Sequence, residues 1–243
     1  MSDEEIRRLL AEGIELGGTP LKQPEDRPDE KRLAEIRSLL TARLGPVRPL
    51  PSNRVLIGIG LASFALVSLL ATIYGGHQAL HALNPIQMAV YFASFLLLAI
   101  LFVVAVLEQI IPGSKRRVKP AVLMAGAALF LAALAPVLFE NFGLDGFVEN
   151  GVPCLKFGTF FATIGGALGF FLIRKGFLTS PLEASVLIGC FAGLSGVTAL
   201  GFACPFLNAP HILVWHFGTM AIGTAAGALI GLVLEWRASR NEN

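Results

Sequence analysis

Six apolar runs of roughly twenty residues constrain this chain more than any other feature: 55–74, 86–107, 121–139, 155–173, 182–203 and 212–234. Each is long enough to cross a hydrocarbon layer of about 30 Å as a helix of about 20 residues. Across the 243 residues, 54% are hydrophobic and only 15% charged, too apolar for a soluble domain of ordinary composition. The expectation is an all-α polytopic membrane protein, a six-helix transmembrane bundle over 55–234 with a short helical N-terminal segment over 1–54 and a tail over 235–243.

The charges are segregated. Of the 36 Asp, Glu, Lys and Arg, 20 lie in the first 54 residues, where ten basic residues balance ten acidic ones, so the net +2 says nothing about nucleic acid, and no direct nucleic-acid contact is expected. Within this head, Ser2 and Glu5 form a capping-box pattern ahead of Ile6, Leu9, Leu10 and Ile14 at helical spacing. A second amphipathic helix is expected from Asp29, with Leu33, Ile36, Leu40 and Leu44 on one face, ending at Gly45-Pro46. The segment between them is rich in proline and charge and reads as a loop, and GPVRPLPSN reads as an extended tether. Two helices this short cannot bury a stable core alone, so their apolar stripes call for a partner. The stripes lack the aromatics and basic excess of a helix lying in a membrane interface, which favours a protein partner over a lipid surface. The amino terminus is charged and the first apolar run begins only near Val55, so no cleavable signal peptide is expected.

Six spans place both ends on one side. Eighteen of the 19 basic residues fall on the face shared by the head: the head itself, Lys115 to Lys119, Arg174 and Lys175, and Arg237 and Arg240. By the positive-inside tendency, head and tail are expected in the cytoplasm. Glu108, Glu140 and Glu183 fall at span ends and no Asp or Glu lies at mid-membrane depth, which argues against a pump or transporter. Gly165 and Gly169, Gly189 and Gly193, and Gly223, Gly227 and Gly231 form small-xxx-small repeats. These are expected to pack the helices within one chain, with a homodimer as the alternative. No P-loop, GxSxG, HExxH or dinucleotide fingerprint is present, so an enzyme is not expected.

The chemistry-bearing residues concentrate at the opposite surface, around CPFLNAPHILVWHFG (204–218), a short hairpin between the last two runs. Pro205 and Pro210 interrupt the helices, Asn208 suits an N-cap, and Trp215 falls at headgroup depth. Cys154 at the start of the fourth run and Cys204 at the end of the fifth lie on this side, as do His77, His81, His211 and His216. Cys190 lies on the order of 20 Å deeper, from about 14 residues at 1.5 Å each, and cannot pair with either. Three interpretations stay open for Cys154 and Cys204: a static bridge or free thiols, a redox-responsive pair, or a zinc or copper site drawn from His77, His81, Cys154, Cys204 and His211. Against a metal, His211 and His216 are five apart, about 140° around an α-helix, and would not face one ion unless the hairpin is irregular. The absence of CxxC argues against a membrane thiol oxidoreductase.

The sequence resembles the NrsF-like negative regulators of sigma factor, six-helix inner-membrane proteins of bacteria. The likeness rests on GPVRPLP before the first span, GVPCLKFG opening the fourth, IRKGFLTSP, GCFAGLSGV, and above all CPFLNAPHILVWHFG followed by AAGALIG. It runs from about Gly45 to Gly231. It implies that the head holds a sigma factor of the extracytoplasmic-function kind at the membrane, away from core RNA polymerase. Under it, Ile6, Leu9, Leu10, Leu33, Ile36 and Leu40 are the candidate sigma contacts, in a helix-in-groove mode. Cys154 and Cys204 match the family's outward-side cysteines, which makes the Cys154, Cys204, His211, Trp215 and His216 group the candidate signal-receiving end. A head with two amphipathic helices departs from the single short helix of the family. The alternative is a small-molecule or metal handling membrane protein whose head is only a stability element.

Overall fold

In a computed structural model of the chain, residues 33–35, 37, 38, 51–110, 118–173 and 180–241 are described. Two units divide the chain, Met1–Pro49 and Leu50–Asn243. In the first, the described residues are helical and exposed, Leu33 among them, and the Ser38 hydroxyl donates to the Glu35 carbonyl at 2.8 Å. The expected contacts Ile6, Leu9, Leu10, Ile36 and Leu40 lie outside the described residues, as does the Ser2 capping box.

The second unit is helical, with no strand among the described residues. It comprises α1 (Asn53–Gly75), α2 (Gln78–Ala82), α3 (Pro85–Ile110), α4 (Pro120–Leu138), α5 (Phe147–Ile173) and α6 (Pro181–Ala203). A short turn (Ala209–His211) and a π-helical turn (Ile212–His216) then lead into α7 (Phe217–Asn241). Six of these helical stretches are long and apolar enough to cross a membrane, with α7 counted together with its lead-in. In hydrocarbon a helix is the economical solution, because each backbone N–H and C=O finds its partner within the segment.

α6 is the hub. Of its most apolar window 83% is buried, against 22% for α4. A helix that is small and apolar on every side can only be an inner one, and α6 packs against α7, α5, α3 and α1. Its glycines set the closeness of approach. A Cβ on Gly189 or Gly193 would strike the backbone of Gly223 or Met220, and one on Gly227 or Gly231 would strike that of Ser185 or Leu182. Gly165 and Gly169 of α5 instead meet the side chains of Ser195 and Ile188 of α6. The small-xxx-small repeats therefore pack α6 and α7 backbone to backbone and seat α5 on side chains of α6 within one chain. Leu69, Ile73, Leu129, Val137 and Leu229, each more than half exposed, lie on the outer faces, a surface that water would not tolerate.

The spans begin and end within a few residues of expectation, with two exceptions. α5 starts at Phe147 rather than near 155, and Cys154 consequently lies two turns inside it. Gly146, at φ 62°, turns the chain, and its carbonyl accepts the Asn150 N–H at 2.9 Å to open the helix. Pro153 is carried inside at the cost of one helical hydrogen bond. At the other end α7 runs on to Asn241, so 235–241 continue the last helix rather than forming a separate tail; the Arg240 guanidinium sits 3.9 Å over the Trp236 ring.

Candidate thiol-imidazole site

Three connections meet at one end of the bundle. The Ala209 N–H donates to the Asn141 carbonyl at 2.9 Å, and the Asn208 side-chain amide donates to the Gly143 carbonyl at 2.7 Å. Asn208 is thus the backbone N-cap of the final helical stretch without capping it through its side chain. Its amide instead ties the hairpin to the α4–α5 connection. Gln87 of α3 donates to the Leu138 carbonyl at 2.8 Å, and Gly75, at the end of α1, lies where a Cβ would meet Phe157 and Ala203. The loops after α1, α4 and α6 therefore share one face.

Beneath that face the sulfur and imidazole groups converge. Cys204 caps α6, its N–H donating to the Leu200 carbonyl at 2.8 Å, and its Sγ lies 3.1 Å from the Sγ of Cys154 and 3.5 Å from Nε2 of His211. His216 completes the group: one ligand atom from each of Cys154, Cys204, His211 and His216 falls within 4.8 Å of all the others. Among the described residues this is the one group of three or more Cys, His or carboxylate side chains so arranged. Cys204, His211 and His216 are buried and Cys154 is half-buried. All three cysteines are free. The Cys154 sulfur beside it, and then burial, push the Cys204 thiol above its ordinary range.

The π-helical turn is what assembles the pair of imidazoles. In an α-helix residues five apart diverge by about 140°. With i→i+5 bonding, five residues make roughly one turn, and the Phe217 N–H indeed reaches the Ile212 carbonyl. The His211 and His216 rings consequently lie 5.4 Å apart, nearly perpendicular. The Thr219 hydroxyl donates to the Trp215 carbonyl at 3.3 Å within the same irregular stretch. The irregularity on which a shared face for His211 and His216 depended is this π turn.

His77 and His81, also among the candidate metal residues, stand outside the group. Their rings are 5.0 Å apart, as i, i+4 spacing predicts, but both are exposed and neither belongs to the cluster. Cys190 stays apart as expected, its Sγ 3.2 Å from the Thr224 hydroxyl between α6 and α7. Trp215 is held against α5. Its half-buried indole covers Gly151, where any Cβ would overlap it, and rests 5.5 Å from the Phe147 ring. His216, expected at the signal-receiving end but not among the candidate metal residues, joins the group through the π turn.

A surface cavity of about 420 Å³ opens onto the thiols, lined by Tyr74, Asn150, Pro153, Phe157 and Phe206 together with Cys154 and Cys204. The sulfurs are thus reachable from the loop face, while the imidazoles are shielded behind them.

A helical protein with six membrane-length spans and a buried thiol-imidazole cluster at one loop face has the make-up of a polytopic membrane protein. Within that class, the family described as NrsF, Negative regulator of sigma F, matches residues 40–236. The chain belongs to this family, and is a negative regulator of a sigma factor. The match includes all four cluster residues, whereas Ile6, Leu9, Leu10, Leu33 and Ile36 precede it and Leu40 is its first residue. No curated protein and no solved structure matches the chain significantly.

Proposed function

We propose that this chain is a membrane-bound anti-sigma factor of the bacterial inner membrane. Its head, residues 1–54, holds an extracytoplasmic-function sigma factor at the cytoplasmic face and keeps it from core RNA polymerase. The head and the C-terminus are cytoplasmic, the Cys154/Cys204 end faces the envelope, and the bilayer surrounds the spans. Family membership carries the proposal, and the one-sided distribution of 18 of the 19 basic residues supports the orientation. Leu33, exposed on a helical segment, suits the helix-in-groove mode, with Ile36, Leu40, Ile6, Leu9 and Leu10 as the other contacts.

The signal acts on the two thiols. Cys154 belongs to α5 and Cys204 caps α6, the hub against which most of the bundle packs, so a bond between their sulfurs shifts one helix against the other. The step balances as the loss of two protons and two electrons to a two-electron oxidant of the envelope, with one S–S bond formed. The movement changes how the head is presented and frees the sigma factor. The role is non-enzymatic, with no direct contact to nucleic acid.

A reporter driven by the cognate sigma factor tests this. Deleting residues 1–44 is expected to abolish repression while the spans still insert, and replacing Cys154 or Cys204 by serine is expected to preserve repression and block induction by oxidant. Repression that survives the deletion would favour a small-molecule or metal handling protein with a structural head.

A further inference from the structure

We infer that Cys154, Cys204, His211 and His216 form a resident zinc site that staples α5, α6 and the start of the last helix together. It engages the same two thiols as the proposed signal step, and is independent of the head's hold on the sigma factor.

The donor set is the first argument. Two thiolates and two imidazoles are a structural zinc ligand set, held tetrahedrally with Zn–S of about 2.3 Å and Zn–N of about 2.0–2.1 Å. Such bonds place the four ligand atoms roughly 3.3–3.8 Å from one another. The Cys204 sulfur is already 3.5 Å from His211 Nε2, and the four atoms lie within 4.8 Å. Contraction of the outermost pairs and a slight opening of the 3.1 Å sulfur contact complete the tetrahedron.

The second argument is His216. It is fully buried, and neither of its ring nitrogens makes a hydrogen bond of good geometry, although the Cys154 thiol lies close enough to interact with the ring. A buried polar group without a good partner keeps the cost of its lost hydration. A ring aimed at two sulfurs and a second imidazole recovers that cost if one nitrogen binds an ion. The π-helical turn points the same way, since its effect here is to bring two imidazoles to one side of the helix, and such turns concentrate at functional sites.

Charge favours a divalent ion. Binding releases the two thiol protons, and Zn²⁺ with two thiolates and two neutral imidazoles has no net charge, which suits a buried site beside hydrocarbon. Four protein ligands leave no open position, so the site is structural or regulatory rather than catalytic. The cavity beside Cys154 and Cys204 provides the route of exchange. A zinc-filled site also keeps both thiolates engaged, so oxidation of the pair requires release of the ion.

The test uses the full chain in lipid nanodiscs, stripped by chelator under reducing conditions, reloaded with zinc or Co²⁺ and desalted. About one zinc per chain is expected in the wild type and in C190S, with affinity at least about tenfold weaker in C154S and H216Q. Co²⁺ in the wild type is expected to give the intense visible bands of a tetrahedral site with thiolate charge transfer. Zinc retained equally by C154S or H216Q, or a wild-type Co²⁺ spectrum that is weak and octahedral, overturns the inference. Should the variants not fold, the wild-type Co²⁺ spectrum decides alone.

Discussion

His211 and His216 face each other across 5.4 Å, five positions apart in sequence, because the turn between them is π-helical. A π turn amounts to one extra residue in a helix. Removing the exposed Val214 is therefore expected to restore α-helical pairing with the two histidines four apart and still on one face. Inserting an alanine after Leu213 should instead rotate His216 by about 100° relative to His211. Co²⁺ absorption of the two variants checks this: the deletion should keep the tetrahedral bands and the insertion should lose them.

The 3.1 Å contact between Cys154 and Cys204, with Cys190 held against Thr224, sets the pattern of oxidation. In metal-free protein, mild oxidant is expected to remove two thiols reactive to a maleimide mass tag after denaturation and to leave one. C190S should then show none, whereas C154S should retain both of its remaining thiols. Loss of the Cys190 thiol in the wild type would contradict the depth assigned to it.

Backbone contact between α6 and α7 predicts a sharp split among glycines. Gly193→Leu would drive a side chain into the Met220 backbone, and overpacking of that kind costs typically 1–3 kcal/mol or more. A Cβ at Gly58 or Gly126 meets nothing within 4 Å, so Gly→Ala there is expected to be neutral or stabilising by about 0.4–1 kcal/mol. Thermal unfolding in one detergent ranks the three variants directly.

Trp215 gives an optical report on the same end. With Trp236 replaced by Phe, it is the one remaining tryptophan of the two in the chain. Gly151→Ala would displace the indole from α5, and a red-shifted, more quenchable emission is expected. Unchanged emission would mean that the indole has room that the packing denies it.

Much of this architecture is legible in the residues. The six spans follow from length and apolarity, their sharing of one loop face from alternation, and the close packing of the last helices from their small-xxx-small repeats, whereas the inner position of α6 emerges only from the contacts. The start of α5 was not legible, because GVPC carries a proline that propensity places at a boundary, whereas the helix absorbs Pro153 and begins behind Gly146. The cluster was half legible: Cys154, Cys204 and His211 follow from sidedness, but the spacing of His216 argues against it until the π turn is seen. His77 and His81 show the converse, with ideal i, i+4 spacing on an exposed helix that the thiols do not reach.

The central claim, that the head of this chain holds a sigma factor, is tested most directly by affinity. Full-length protein in nanodiscs should bind the purified cognate sigma factor, and charging the apolar face with L33E and I36E should weaken binding by at least about tenfold, on the order of 1.4 kcal/mol. Equal affinity of the wild type and the charged variant would contradict the account.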